Sequence, residues 1–379
     1  MTAQLRVGIV GAGQVGGLGD GLGSEENSHA GGYSRIEECE LVSIADIDSE
    51  RLEQFGKQWG IPSEHRYSTA SEMYARENLD VISVTTPPMY HHNPVIEAAD
   101  AGVKVILVEK PLAISVEWGR KMVEACELAG SRLITGHTRR FLPPFKKIKK
   151  MIDEGLIGEV RTIETSGSRP LLANGTHTVD YAFYWTDAEP RRVSGFLSHE
   201  PSPGPPPPGF TGYWTYENYL DSKTPESPGP PLADPGGAGM IVCDGGIVIF
   251  VNCIATRWQQ ESATMIAGTE GRIRYVESTG IWQYGPLLKR SAKNRGTQYD
   301  WEDIPDMPKE VDQRDYFYGS VLEAVTCHLE DRESVSTGRD GLKTLEVLTA
   351  IHISHKTGAM VRLPLVEGLD QHEIRSSEQ

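Results

Sequence analysis

Apolar and polar positions alternate and then merge from Leu5 to Val10 (LRVGIV), as expected of a strand buried in a parallel sheet. Apolar runs at Glu40 to Ala45, Asp80 to Thr85 and Lys104 to Val108 predict further buried strands, with a helix through Val95 to Ala101 before the last. In the second half the pattern changes. A basic amphipathic helix around Lys146 to Lys150 precedes a strand at Val160 to Thr165, and Ile241 to Ile254 and Thr264 to Val276 are β-rich with turn residues between them. Phe317 to Leu329 and Gly341 to Ser354 carry apolar residues three and four apart and predict helices. Strands run together with helices held apart predict an α+β layer. The stretch of about residues 198–239 contains PSPGPPPPG and SPGPPLADPGG and cannot be regular throughout. Its aromatics Tyr213, Trp214, Tyr216 and Tyr219 read as a lid or an oligomer arm.

Composition narrows the picture. A chain of 379 residues exceeds one ordinary core, and 38% hydrophobic with 24% charged residues describes a globular protein of about two domains. No apolar run is long enough for a membrane span, and MTAQLRVGIV enters a strand without a signal region, so a cytoplasmic protein is expected. Five scattered cysteines with no CxxC pair argue against a disulfide framework or a zinc knuckle, and no metal site is expected. A net charge of −16 disfavours nucleic acid as a partner.

Candidate chemistry begins directly after the first strand. Gly11, Gly13 and Gly16 form GxGxxG: the first glycine permits a tight turn, the second lets a pyrophosphate approach the backbone, and the third lets the following helix pack closely. The segment GLGDGLGSEENSHAGGYSR that follows is too rich in glycine for a simple helix and reads as an inserted loop. The second strand ends on Asp46, where a carboxylate would hold the adenosine ribose and repel a 2′-phosphate, favouring NAD over NADP. Asp46 could instead cap the helix beginning near Ser49, although Asp48 and Ser49 are the better caps. Thr86-Pro87-Pro88 ends the third strand at the carboxyl edge of the sheet, where ligands of such sheets bind. Glu109-Lys110-Pro111 ends the next, and a charged pair there is costly unless it faces a polar cleft. A base is needed to take a hydroxyl proton, and His177, at the start of an aromatic-rich helix with Asp180 three residues on, suits that role.

Through GAGQVG, TTPPMYHH, EKP, GHTRRF, GTHTVD, AGTEGRIRYV and STGRDGLKTLEVLTAIHISHKTG, the chain resembles the Gfo/Idh/MocA family of nicotinamide-dependent sugar and polyol oxidoreductases. The resemblance implies an α/β fold: an N-terminal Rossmann domain, residues 1–136, and a C-terminal α+β domain, residues 137–379, with a large, mostly antiparallel sheet. It implies Lys110 and His177 as catalytic residues and Asp180 as a substrate contact, and Arg169 and Trp214 are further candidate substrate contacts outside the resemblance. NAD would lie over Gly11, Gly13, Gln14, Val15 and Gly16, with its ribose on Asp46 and its nicotinamide near Thr86, Pro87, His91, Glu109 and Lys110. Family members commonly carry an aspartate four residues before the histidine; here that residue is Ala173.

The expected activity is NAD-dependent hydride transfer at a secondary hydroxyl of a sugar, glycoside or cyclitol. A homodimer or homotetramer is expected through the sheet face. Two other readings share the scaffold: a redox-neutral glycoside-cleaving enzyme that keeps its NAD, and a non-catalytic nucleotide sensor. Retention of both Lys110 and His177 argues against the sensor, which needs no base.

Overall fold

The structure is a computed structural model that describes residues 4–19, 26–168, 170–198, 236–254, 262–276, 281–286, 301–307, 315–371 and 373–374. The chain forms two compact units.

The first unit draws on Met1–Leu142 and Asp312–Leu345. Its strands are β1 (Leu5–Val10), β2 (Cys39–Ala45), β3 (Arg66–Tyr67), β4 (Val81–Val84), β5 (Val105–Val108) and β6 (Arg132–Thr135). They pair in parallel in the order β3-β2-β1-β4-β5-β6, the doubly wound arrangement in which strand order reverses beside β1. Helices α1 (His29–Tyr33), α2 (Ser49–Trp59), α3 (Ala70–Arg76), α4 (His92–Asp100) and α5 (Val116–Ala129) connect them. Caps mark the helix starts: the Asp48 side chain accepts from the N–H groups of Glu50 and Arg51 at the head of α2, and Ser115 accepts from Trp118 at the head of α5. Asp46 is therefore not the cap of α2.

Two expectations change here. The boundary expected at residue 136 falls at Leu142, and the helix Asp315–Glu330 (α8) returns to the first unit. Its Val321, Ala324, Val325 and Cys327 share a buried cluster with Val7, Ile9, Val81, Val105 and Leu107. Sequence separation hides such a contact, because the apolar stripe of α8 does not say which sheet it covers. The glycine-rich segment is also more than a loop: His29–Tyr33 is a buried helix within it. Gly32 is glycine there because a Cβ would lie 2.4 Å from the Val321 side chain, so α1 and α8 approach closely.

The second unit draws on Pro143–Ser202, Ala233–Val311 and Glu346–Gln379. Here α6 (Pro143–Asp153) and α7 (Thr176–Thr186) accompany β7 (Val160–Ser166), β8 (Pro190–Leu197), β9 (Gly237–Cys243), β10 (Val248–Cys253), β11 (Ala263–Gly268), β12 (Gly271–Val276), β13 (Ile281–Pro286), β14 (Glu302–Asp303) and β15 (Val361–Arg362). The sheet order is β14-β13-β12-β11-β7-β10-β9-β8-β15, with β10 and β7 parallel and the other pairs antiparallel. Ile163, Val193, Ile241, Ile249, Ile266 and Ile273 point to the buried face. On the first of these helices Lys149 bridges Asp153 and Asp187 at 2.6 Å each, so the basic run is a solvated, ion-paired face. The last helix, α9 (Gly338–Thr357), begins in the first unit and ends in the second.

The end of the proline-rich stretch, Gly237–Gly239, is the start of β9, paired with β8 and β10, because Gly239 lets Ile351 pack against the strand where a Cβ would lie 3.0 Å away. Tyr213, Trp214, Tyr216, Tyr219 and Arg169 lie outside the described residues. All five cysteines are buried thiols. Among the described residues no helix is long and apolar enough to cross a membrane, and no group of His, Cys, Asp or Glu could hold a metal ion.

Candidate active site

The chain leaves β1 through a turn that only glycine fits at two places. Gly11 has φ +103°, and a Cβ there would meet the Thr85–Thr86 backbone at 2.9 Å. A Cβ on Gly16 would sit 2.0 Å from the Gly11 carbonyl oxygen. Thr85 Oγ1 donates to that same carbonyl (2.8 Å) and also lies 3.1 Å from the Val10 oxygen, fixing the turn to the neighbouring strand. Gly13 is different. A Cβ there would meet nothing within 4 Å, so the middle glycine faces open space. Gln14 and Val15 open the π-helical turn Gln14–Leu18 and are partly exposed.

Asp46 is tied to this turn. Ala12 N–H donates to its Oδ2 (2.6 Å) and Asp48 N–H to its Oδ1 (2.8 Å), which leaves further lone pairs on both oxygens. Arg51 is drawn toward Asp48 at 3.7 Å. A pinned glycine turn, open space over Gly13 and a partly exposed carboxylate held at the turn fit a dinucleotide.

The next two strand ends carry Thr86, Pro87, Glu109 and Lys110. Thr86 and Pro87 are partly exposed, and Thr86 Oγ1 is buried without a hydrogen-bond partner. His91 departs from expectation. It is fully buried, with Nε2 2.7 Å from the Thr86 oxygen and Nδ1 3.1 Å from the oxygens of Pro111 and Leu112. A side chain with no exposed surface cannot touch a cofactor in this conformation; His91 instead fastens the Thr86 turn to the Pro111 turn. Burial lowers its pKa, against the pull of the surrounding carbonyls.

Lys110 is partly exposed, yet burial is the main force on its amine and brings its pKa down from 10.5 to about 8, helped by Arg139 and opposed by Glu109. Glu109 is buried, and Gly136 lets the next loop pass over it, since a Cβ at Gly136 would lie 2.7 Å from Glu109 Oε1. Buried His137 follows; burial first, then Arg140 and Lys110, hold its pKa well below the usual range. The sequence reading passed over His137, His29, Ser83 and Tyr33. Only a buried charge at Glu109, which must find a partner, signalled them.

In the second unit His177 and Asp180 lie one turn apart on α7, His177 partly exposed and Asp180 buried. Thr178 Oγ1 donates to the Gly175 oxygen (2.7 Å), and the hydroxyls of Tyr181, Thr165 and Thr264 interlock at 2.7–2.9 Å, tying α7 to β7 and β11. Ala173 sits in the π-helical turn Leu171–Gly175 just before the helix.

This sheet order with this glycine turn defines a dinucleotide-binding protein. Residues 5–137 match the family described as an oxidoreductase family with an NAD-binding Rossmann fold. Through that segment the chain is similar to the Gfo/Idh/MocA oxidoreductases. It is 24% identical over 369 residues to a D-apiose dehydrogenase of Paraburkholderia graminis, covering 92% of this chain and 89% of that one. To an NADP(+) D-xylose 1-dehydrogenase of Haloarcula marismortui it is 26% identical, covering 86% of each. Its fold is similar to the crystal structure of an aldose-aldose oxidoreductase from Caulobacter crescentus, with TM-score 0.71, 22% identity, and 95% and 100% of the two chains covered.

Proposed function

We propose that this oxidoreductase uses NAD rather than NADP to oxidise a secondary hydroxyl of a sugar, glycoside or cyclitol, or to reduce the corresponding ketone. The observation that carries the reading is Lys110. An amine at the carboxyl end of β5 in an NAD-binding sheet, with its pKa brought to about 8, can donate a hydrogen bond to a reacting oxygen and exchange a proton near neutral pH. The substrate class follows the relatives, which are named for apiose and xylose.

The bound nicotinamide would supply the two-electron chemistry. Gly11, Gly13, Gln14, Val15 and Gly16 would hold its pyrophosphate, Asp46 the adenosine ribose, and Thr86, Pro87 and Glu109 the nicotinamide end. Lys110 orients the reacting oxygen and His177 takes its proton, while Asp180, with Arg169 and Trp214, contacts the other substrate hydroxyls. The preference for NAD rests on the Asp46 carboxylate, held at the turn by Ala12 N–H, with Arg51 drawn to Asp48. The chain assembles as a homodimer or homotetramer through the open face of the second sheet, where Phe196 and Phe250 stand 54% and 42% exposed beside Met240 and Met265. Purified protein mixed with NAD and a panel of sugars, glycosides and inositols should raise nicotinamide absorbance with at least one of them. No response in either direction, with NADH and the corresponding ketones also tried, would defeat the reading.

A further inference from the structure

The face of the first sheet beneath α1 and α8 is mostly apolar, and Ser83 and Glu109 are among its polar side chains. Val81 and Ser83 point to it from β4, and Val105, Leu107 and then Glu109 from β5 and its end, because side chains alternate along a strand. Buried Ser83 and Glu109 both need partners. Both meet His29, which has no exposed surface: Nδ1 lies 2.9 Å from Ser83 Oγ and Nε2 3.0 Å from Glu109 Oε1. Tyr33, one turn along α1, places its hydroxyl 2.9 Å from Ser83 Oγ. The Phe317 ring packs on the His29 imidazole at 5.4 Å.

Counting protons gives the chain a direction. Burial holds the Tyr33 phenol far above its usual range, so it stays protonated and donates to Ser83 Oγ. Ser83 then has one proton to place and His29 Nδ1 to receive it, which leaves the imidazole proton on Nε2, aimed at Glu109. Were His29 doubly protonated, the Ser83 hydroxyl would accept from both neighbours and its own proton would have no acceptor. The carboxylate at the end of this chain also lies beside Lys110, whose amide N–H is 3.3 Å from Glu109 Oε2.

We infer that His29, oriented by Tyr33 and Ser83, is a positioning residue that holds the Glu109 carboxylate in place beside Lys110, and so governs the protonation of that amine. This rests on the role given to Lys110 above. Glu109 is faced by His29 from α1 and by Lys110 beside it, with His91 and His137 near enough to feel its charge; Lys110 also feels Arg139 and itself acts on His137, and Tyr33 feels Cys39. Glu109 favours the ammonium form of Lys110, so releasing or neutralising it drives the amine to lose its proton at lower pH.

Competitive acetylation of Lys110 with acetic anhydride across pH 6–10, read by peptide mass spectrometry, reports that protonation without turnover. The midpoint should lie near pH 8 in the natural protein. His29→Ala should lower it by about 0.5–1 unit, Glu109→Gln by at least as much, and the double variant no further than Glu109→Gln alone. Tyr33→Phe, which removes one oxygen and keeps the ring, should move it the same way by less, and decides the matter if His29→Ala does not fold. An unmoved midpoint in His29→Ala, or in Tyr33→Phe where that variant must serve, overturns the inference. Shifts as expected in a protein that turns over no sugar would instead defeat the proposed function and leave this relation standing.

Discussion

Gly13 and Gly16 belong to one motif but should fail in different ways when given a methyl group. At Gly16 the added Cβ would stand 2.0 Å from the Gly11 carbonyl oxygen and 2.9 Å from Thr85 Oγ1. The first of these is backbone and is itself held by the Thr85 hydroxyl, so the turn must open. Overpacking of this kind costs about 3 kcal/mol, the upper end of its usual range. Gly16→Ala should therefore lower Tm by roughly 6–12 °C for a unit of this size. At Gly13 the added Cβ meets no protein atom within 4 Å, and φ −67°, ψ −167° suits alanine. Gly13→Ala should leave Tm of the cofactor-free protein within about 2 °C, since surface changes rarely exceed ~0.5 kcal/mol. It should still weaken NAD binding at least about tenfold, or ~1.4 kcal/mol, because the methyl group takes the space left for the pyrophosphate. Thermal unfolding and an NADH fluorescence titration read the two effects separately. Unchanged NADH affinity in Gly13→Ala would refute the assignment of that open space.

Other consequences can be measured in parallel. Asp46→Ser should narrow the preference for NAD over NADP in kcat/KM, and equal use of both by the natural protein would remove Asp46 from cofactor selection. Between about pH 8 and 10.5 the unfolded chain keeps a proton that folded Lys110 has released, so this residue makes stability rise with pH across that window. Lys110→Met should flatten that part of a urea-unfolding series, and an unaltered slope would mean the amine is not depressed. Phe250→Glu, on the exposed face of β10, should shift sedimentation toward monomer, whereas an unchanged oligomer would place the interface elsewhere.

Much of the first unit was legible because its signals are local. The apolar run of β1, the spacing of the three glycines after it and the acid closing β2 can each be read from a short stretch of chain. What escaped was set by distant partners. The glycines of HAGGY suggest flexibility in sequence, yet Gly32 is there for Val321, nearly three hundred residues on. With α1 read as loop, His29 had no place, and Glu109 had no visible counterpart. His91 was misjudged for the same reason: a histidine beside a Thr-Pro-Pro turn looks available until the oxygens of Pro111 and Leu112 are found against its ring. In the second unit the strand pattern was clear, while the parallel pairing of β10 with β7 inside an otherwise antiparallel sheet left no mark on periodicity.

The central claim is that hydride passes between a sugar carbon and the nicotinamide with Lys110 and His177 handling the proton. The direct test is a single turnover with a sugar found active in the panel, carrying deuterium at the carbon oxidised, with the cofactor recovered and weighed by mass spectrometry. Deuterium should appear in released NADH, and Lys110→Ala and His177→Ala should each slow its appearance by about 10²–10⁴-fold, the usual span for a general acid or base. Deuterium returned to the product while NAD stays bound would instead reveal redox-neutral chemistry, and full rates in both alanine variants would contradict the assignment of the proton to these two residues.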